Sequence, residues 1–223
     1  DFEALGCDVY KERVGEQEVV RRIENFYLNA GQLRKLMDNR HYQRLLKIVA
    51  GESATLFKEK LNFKSGGGSG FNLHVDGHFF WQSSNTQGLK RGWKEYASHF
   101  FNVVIPLKNS TKYNGTLQIA EFSETKKFLG TSWDDITASL DEHGPYLTSE
   151  VQKNVNMHMI EMQPGDVFIF DWRCIHGSSK NNSVSDRPIL YLTYNPSSQG
   201  LHREQYFKDK SGSFAKDAEK TLL

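Results

Sequence analysis

One apolar run in the second half of the chain limits the possible folds more than any other segment. Val167 to Trp172 reads Val-Phe-Ile-Phe-Asp-Trp and follows a Pro-Gly-Asp turn at residues 164–166. A short, nearly continuous apolar run bounded by turn residues is typical of a buried β-strand. A similar run from Ile189 to Tyr194 predicts another strand close behind it. Strands therefore dominate the expected structure of this part of the chain.

Three side chains with metal-ligand chemistry accompany this strand pattern. His74 and Asp76 form a His-x-Asp pair, and His176 follows the apolar run. Two histidines and one carboxylate are the ligands of the facial triad, which holds Fe(II) on one face and leaves the other face open. A His-x-Asp pair alone could equally be a surface turn or a local hydrogen-bonded pair. The position of His176 after a predicted buried strand favours the metal site.

A cation follows the second histidine at Arg187. An oxygenase that combines this triad with 2-oxoglutarate needs a cation for the carboxylate far from the iron, and the planar fork of arginine suits that task. The alternative is a solvated charge beside Asp186 in a loop, which is the commoner situation for a single arginine.

The order of these parts resembles the phytanoyl-CoA dioxygenase-like (PhyH) family of Fe(II)/2-oxoglutarate-dependent oxygenases. The matching stretches are residues 57–64 (FKEKLNFK), residues 74–76 (HVD), residues 176–178 (HGS) and residues 187–188 (RP), so they span about residues 56–194. The resemblance implies Fe(II) on His74, Asp76 and His176. It also implies 2-oxoglutarate and O2 as co-substrates, and hydroxylation of a C–H bond with release of succinate and CO2. The family commonly has Gln where this chain has Val75, a side chain that a strand would point away from the metal.

The resemblance also indicates contacts with the co-substrate. It places one carboxylate of 2-oxoglutarate on Arg187, with the hydroxyl of Ser178 beside it, although Ser178 could instead bond to its own backbone in a loop. Asn62 is implied as a further contact, and Lys60 is assigned to 2-oxoglutarate or to an anionic substrate group. Asn102 stands where the family often has an aromatic residue against 2-oxoglutarate, so this position is included among the candidates.

Lys58, Lys60 and Asn62 alternate along one predicted strand and therefore share one of its faces. If that face lines the barrel, Lys58 and Lys60 bring two cations towards a bound molecule. The alternative is an exposed edge strand whose lysines protect the sheet from aggregation. On the first interpretation, Lys58 binds a small, anionic substrate that carries a carboxylate, phosphonate or phosphate group.

Aromatic residues follow the His-x-Asp pair closely. Phe80 and Trp81 could form a wall of the substrate pocket, with His78 as a polar contact. The same residues could be ordinary core packing beside a solvated histidine. Both interpretations stay open at this point.

Length and residue spacing predict the remaining organisation. The 223 residues suit a single domain. Helical spacing predicts an N-terminal helical support over about residues 15–50. Strand-like segments dominate from there on and predict a jelly-roll core over about residues 56–200. The charged residues at about 208–223 predict a frayed tail. The polar segment at residues 133–155 predicts an insertion with a short helix. The expected fold is mainly β with flanking helices: a double-stranded β-helix (jelly roll, cupin-like) backed by N-terminal α-helices.

Charge and composition limit the partners. A net charge of +1 gives no strong attraction to nucleic acid or to an anionic membrane, and no apolar run approaches the roughly 20 residues of a membrane span. Two cysteines are too few for a disulfide framework, which favours a cytoplasmic location. The sequence predicts no oligomeric state. Two alternatives remain, namely a non-catalytic jelly-roll protein that binds a metal or ligand, and a 2-oxoglutarate oxygenase that acts on a macromolecule.

Overall fold

A computed structural model describes residues 2–82, 89–138 and 146–211. The strands are β1 (Asp8–Val14), β2 (Gln17–Glu24), β3 (Ala54–Asn62), β4 (Phe71–His74), β5 (Phe80–Gln82), β6 (Leu89–Arg91), β7 (Phe101–Pro106), β8 (Leu117–Ile119), β9 (His158–Ile160), β10 (Phe168–Asp171), β11 (His176–Ser178) and β12 (Ile189–Pro196). The α-helices are α1 (Gly31–Met37), α2 (Arg40–Ala50), α3 (Phe122–Leu129), α4 (Trp133–Ala138), α5 (Ser149–Asn154) and α6 (Arg203–Asp209). Short 3-10 helices occupy Tyr27–Asn29, Gly92–Glu95 and Ser197–Gln199.

Two antiparallel sheets form the centre of the molecule. The major sheet has the order β1-β2-β3-β12-β7-β10, and the minor sheet has the order β4-β11-β8-β9. A buried cluster joins them, because Val104 and Ile189 of the major sheet pack with Leu117 and Ile119 of the minor sheet. Two sheets of this order packed face to face are the arrangement expected from the sequence, a jelly roll.

Helices α1 and α2 cover the outer face of the major sheet. Leu33 and Leu46 pack there against Val103 of β7 and Leu192 of β12, two neighbouring strands inside the sheet. Asn39 caps α2 through its side-chain oxygen, which accepts hydrogen bonds from two backbone N–H groups. The expected N-terminal helical support is therefore present over residues 31–50. In the described part of the chain no helix is long and apolar enough to cross a membrane.

The alternation of β7 and β12 determines which side chains enter the space between the sheets. Because Val103 and Leu192 face the helices, their neighbours in sequence face the opposite way. Asn102 and Thr193 are such neighbours, and they lie opposite each other in the antiparallel pairing of the two strands. Both are almost fully buried.

The helical prediction was wrong for the first part of the N-terminal segment. Residues 17–24 form strand β2, which pairs with β1 on one side and β3 on the other. Val19 and Ile23, four residues apart, fit one face of a strand as well as one face of a helix. Arg21, Arg22 and Glu24 are also buried, so the charged residues of this strand do not mark a solvent face.

The prediction of a frayed tail was wrong for its first residues. Lys208 belongs to α6, and Lys210 is 6% exposed and forms a buried ion pair with Glu24 of β2. Residues 212–223 lie outside the described part of the chain. The predicted insertion contains two short helices, α4 and α5, and residues 139–145 between them are also outside it.

Candidate metal and co-substrate site

Strands β4 and β11 bring the two candidate histidines together. Their antiparallel pairing places His74 directly opposite His176, with ring centroids 4.2 Å apart. Asp76 follows β4, and the chain then turns through Gly77, whose φ of +72° favours glycine. The Asp76 carboxylate lies 3.9 Å from Nε2 of His74 and 3.6 Å from Nε2 of His176. All three side chains are buried, and their ligand atoms lie within 4.8 Å of one another.

Backbone contacts orient both imidazole rings. Nδ1 of His74 lies 2.7 Å from the carbonyl oxygen of Asn72, and Nδ1 of His176 lies 2.9 Å from that of Cys174. A carbonyl only accepts, so each Nδ1 carries the proton and donates it. The lone pair on each Nε2 is therefore free to bind a metal.

Burial and neighbouring charges together keep the three candidate ligands free of competing protons. Burial lowers the pKa of His74 to about 3, with His176 contributing, and it also lowers the pKa of His176. Burial alone would raise the pKa of Asp76, but His176, Lys60 and His74 outweigh it and lower that pKa to about 2. Two neutral imidazoles and one carboxylate in a buried cluster fit a divalent cation such as Fe(II).

Asn102 contacts the candidate metal ligand Asp76, and its predicted contact with 2-oxoglutarate stays a prediction. Its Nδ2 donates to Oδ2 of Asp76 at 2.8 Å, and its Oδ1 accepts from the hydroxyl of Thr193 at 2.7 Å. The contact fixes the carboxylate from the major sheet, as outer-shell hydrogen bonds do around metal ligands.

Arg187 is buried with unused hydrogen-bond donors. It is 1% exposed, and its Nε and Nη1 have no hydrogen-bond partner among the described residues. Burial lowers its pKa, while contact with Tyr191 has the opposite effect. A buried guanidinium with free donors is costly unless an anion binds it. The solvated-loop alternative is therefore wrong, and the donors fit a carboxylate of 2-oxoglutarate.

Lys64 lies beside Arg187 and was not among the predicted site residues. Its Nζ lies 2.6 Å from Oγ of Ser178 and donates to the carbonyl oxygens of Ser179 at 2.5 Å and Gly115 at 3.2 Å. The side-chain oxygen of Ser178 thus contacts Lys64, and the alternative of a bond to its own backbone is not observed. Lys64 continues the alternation of polar residues that begins with Lys58, Lys60 and Asn62. This period of two is the signal in the sequence that could have identified Lys64.

Strand β3 lies inside the major sheet, between β2 and β12. The edge-strand alternative for its lysines is therefore wrong. Burial lowers the pKa of Lys60 to about 8, with Lys58 contributing and Asp76 acting in the opposite direction. Lys58 contributes in turn to the low pKa of Asp76. Both lysines thus lie within electrostatic range of the metal ligands, and Nζ of Lys60 lies 5.1 Å from the ring centroid of Tyr191.

The same face continues onto β2. Asn62 lies opposite Arg22, and Lys60 lies opposite Glu24. Asn62 is 3% exposed, and its Oδ1 has no hydrogen-bond partner in the described residues. Glu24 is already held by Lys210 and by Nε of Arg22.

The aromatic residues after Asp76 separate into different environments. His78 stacks between Trp133 at 4.4 Å and Trp172 at 5.0 Å, and burial lowers its pKa to about 4. The solvated alternative for His78 is therefore wrong. Trp81 is buried in the neighbouring aromatic core, whereas Phe80 is 50% exposed. Phe80 nevertheless contacts the edge of Trp133, with ring centroids 6.4 Å apart, and the role of the three side chains in a substrate pocket stays a prediction.

The sheets and the ligand set together define a non-haem iron oxygenase. Within that class the chain belongs to the phytanoyl-CoA dioxygenase (PhyH) family, whose model matches residues 11–189. Members of this family depend on Fe(II), 2-oxoglutarate and O2.

Curated relatives include two enzymes named for phosphonates. The chain is 30% identical over 209 residues to a 2-aminoethylphosphonate dioxygenase from an uncultured bacterium (HF130_AEPn_1), covering 92% of this chain and 70% of the relative. It is 30% identical over 167 residues to a methylphosphonate hydroxylase from Gimesia maris, covering 75% of this chain but only 55% of that relative.

Solved structures share the fold. EctD from S. alaskensis, determined with 2-oxoglutarate and 5-hydroxyectoine, has a TM-score of 0.57 at 18% identity and covers 82% of this chain and 58% of its own. The epimerase SnoN, determined with Fe3+, alpha ketoglutarate and nogalamycin RO, has a TM-score of 0.61 at 14% identity and covers 85% of this chain and 68% of its own. At such identities the likeness concerns the fold alone, and it confirms the jelly-roll prediction.

Proposed function

We propose that this protein is an Fe(II)- and 2-oxoglutarate-dependent dioxygenase that hydroxylates a C–H bond of a small organophosphonate. Family membership and the buried His-Asp-His set support the reaction class. The observation that carries the substrate class is the pair of lysines on an interior strand beside the metal ligands. The names of the two phosphonate relatives agree with it.

The residues of the metal and co-substrate site have separate tasks in this proposal. His74, Asp76 and His176 hold Fe(II), and Arg187 and Ser178 hold the far carboxylate of 2-oxoglutarate. When bound, iron, 2-oxoglutarate and O2 supply the oxidant that places one oxygen atom in the substrate, with succinate and CO2 as the other products. Asn62 offers its amide to the same co-substrate.

Charge on the β3 face favours a phosphonate. Lys58 and Lys60 are both near the metal ligands, whereas the nearby carboxylate of Glu24 already pairs with Lys210 and Arg22. A partly buried ammonium without its own counter-ion binds an anion favourably. The phosphonate group would therefore lie against Lys60, with Lys58 beside it.

An aromatic cluster adjoins the lysines. Nζ of Lys58 lies 5.3 Å from the ring centroid of Trp93 and 5.6 Å from that of Tyr206, and both rings belong to a buried cluster with Phe57 and Phe100. Apolar surface beside a cationic pair suits a short alkyl chain attached to an anionic head. It would also exclude water from the reacting C–H bond.

A substrate comparison tests the proposal. Succinate formation is measured with methylphosphonate and 2-aminoethylphosphonate, and with the carboxylates acetate and 3-aminopropanoate as matched controls. We expect a phosphonate to stimulate succinate formation at least tenfold more than its carboxylate counterpart, a difference of about 1.4 kcal/mol.

Two variants test whether Lys60 is responsible for the stimulation of succinate formation by a phosphonate. Lys60→Met should lose the stimulation of succinate formation by a phosphonate while keeping iron. Lys127→Met, which removes an exposed lysine of α3, should behave like the parent. Equal stimulation by carboxylates, or full activity of Lys60→Met, would contradict the substrate class. Metal binding without any succinate formation would favour the non-catalytic alternative, and stimulation by a protein or nucleic acid alone would favour the macromolecular one.

The partner on this proposal is a small molecule, with neither nucleic acid nor membrane involved. We also infer a reducing compartment such as the cytoplasm, because Cys7 and Cys174 are free and buried thiols.

A further inference from the structure

The side-chain nitrogen of Lys64 lies within hydrogen-bond distance of two carbonyl oxygens and one hydroxyl group. The carbonyl oxygens of Gly115 and Ser179 can only accept, and both lie within hydrogen-bond distance of Nζ. Gly115 has a φ of +75°, and a Cβ there would lie 2.4 Å from the Ser179 carbonyl oxygen. Glycine at this position therefore permits the close approach of the two chains that supply these carbonyls.

The third partner, Ser178, can either donate or accept. If Lys64 is charged, its three protons go to the two carbonyls and to Oγ of Ser178, and the Ser178 proton is free to point elsewhere. If Lys64 is neutral, it has two protons for the two carbonyls, and the Ser178 hydroxyl donates to the Nζ lone pair instead. The charge on Lys64 therefore sets the direction of the Ser178 hydroxyl.

The charges around Lys64 favour the neutral state in the free protein. Burial, Arg187 and Arg21 together lower its pKa to about 6, while Glu12 acts in the opposite direction. Glu12 is itself paired with Arg21 at 2.8 Å. The remaining neighbour is the ring of Phe71, which carries no charge. An anion bound to Arg187 would change this balance by cancelling the largest nearby positive charge.

We propose that Lys64 is a proton-linked positioning residue for the co-substrate: it takes up one proton from solvent when the far carboxylate of 2-oxoglutarate reaches Arg187, and it thereby turns the Ser178 hydroxyl towards that carboxylate. The inference rests on the proposed function, because it takes 2-oxoglutarate as the ligand of Arg187. No covalent bond changes, and the proton comes from the buffer.

Calorimetry measures the proton directly. 2-Oxoglutarate is titrated without O2 into the Fe(II)-loaded protein at pH 7.5, in two buffers with different ionisation enthalpies. For the parent we expect an uptake of about one proton per 2-oxoglutarate, because a group with pKa about 6 is almost fully neutral at this pH before binding. The dissociation constant should rise by up to about tenfold per pH unit above pH 6.

Three variants separate positioning from a merely structural role. Lys64→Met should bind 2-oxoglutarate more weakly, without the extra proton and with a flat pH profile. Ser178→Ala should also bind more weakly but should keep the proton uptake. Lys108→Met, which removes an exposed lysine paired with Asp186, should match the parent.

The outcomes are distinct. Proton uptake in the parent and Ser178→Ala but not in Lys64→Met supports the inference, and equal iron content shows that the variants are folded. If Lys64→Met does not fold, uptake in the parent and Ser178→Ala together with the predicted pH profile supports it. 2-Oxoglutarate binding by the parent without proton uptake, or with a flat pH profile, overturns the inference but leaves the proposed function standing. If the parent does not bind 2-oxoglutarate at all, both are overturned.

Discussion

Replacing Arg187 by methionine should stabilise the free protein and weaken 2-oxoglutarate binding. Arg187 is 1% exposed, and its Nε and Nη1 have no partner within the described ranges. Arginine stays charged in proteins. Burial lowers the pKa of Arg187, which means that the charged side chain is less stable in the folded protein than in water and so destabilises the folded state. An apolar side chain of similar length removes that cost.

The two effects can be estimated separately. Exchanging buried charge for well-packed apolar groups commonly stabilises by about 1–4 kcal/mol, and losing the contact with Tyr191 returns about 1 kcal/mol of it. The net gain is therefore about 0–3 kcal/mol, and its central value of about 1.5 kcal/mol raises the unfolding midpoint by roughly 3–6 °C for a chain of this size. The variant also loses two charge-assisted hydrogen bonds to the co-substrate, each worth about 1.5–3 kcal/mol. The dissociation constant should therefore rise about a hundredfold to ten-thousandfold.

Thermal unfolding of the Mn(II)-loaded proteins in chloride buffer measures both quantities. The parent should unfold at a higher temperature when 2-oxoglutarate is added. Arg187→Met should start from a higher midpoint and show no such increase, and Arg187→Lys should recover only part of it because a point charge cannot replace the fork. If Arg187→Met unfolds at a lower temperature than the parent and still responds fully to 2-oxoglutarate, the reasoning is refuted.

The remaining predictions concern the metal ligands and the buried ion pairs. His176→Ala should abolish Fe(II) binding in metal analysis while His158→Ala, at a half-exposed position, retains it; equal iron in both would remove the metal assignment. Asn102→Leu should keep the fold but weaken metal affinity about 10–100-fold, as measured by competition with a chelator, and an unchanged affinity would show that the carboxylate needs no such support. Glu24→Gln should lower the free energy of unfolding by about 3–5 kcal/mol at pH 7, because Lys210 loses its counter-ion. The pKa of Glu24 lies below its ordinary value of 4.5, because Lys210 and other cations outweigh burial. The stabilisation that the Glu24 carboxylate gives to the folded protein is therefore fully present above pH 4.5 and is lost as the pH falls below it. Urea unfolding should therefore show a smaller difference between parent and Glu24→Gln at pH 3 than at pH 7, and a constant difference would contradict this account.

The sequence predicted the parts of the fold in which a local pattern matches a local structure. The run from Val167 to Trp172 contains strand β10, and the run from Ile189 to Tyr194 forms all but the last two residues of strand β12. His74, Asp76 and His176 were identifiable because their residue types are few and their strand context is specific. Their convergence in space depends on the pairing of β4 with β11, which no local pattern contains.

The sequence was misleading where charged residues are buried. Strand β2 contains Arg21, Arg22 and Glu24, and a charged segment of this kind is ordinarily read as solvent-exposed. Their burial depends on partners far along the chain, such as Lys210 for Glu24.

The partners of two polar residues could not be predicted for a related reason. Asn102 and Lys64 owe their positions to contacts with Asp76 and Ser178, which are 26 and 114 residues away in sequence. A pattern along one strand shows which face a side chain occupies, but not what stands opposite it.

The contact between Asn102 and Asp76 has a consequence for the mechanical behaviour of the molecule. The two histidines belong to the minor sheet, while Asp76 accepts a hydrogen bond from Asn102 of the major sheet, which is itself held by Thr193. A metal ion on these three ligands would therefore be connected to both layers of the sandwich, directly to the minor sheet and through this hydrogen bond to the major sheet. Sliding of one layer over the other would strain the Asn102–Asp76 hydrogen bond and shift the carboxylate, so mutations far from the iron that alter the packing between layers should change metal affinity.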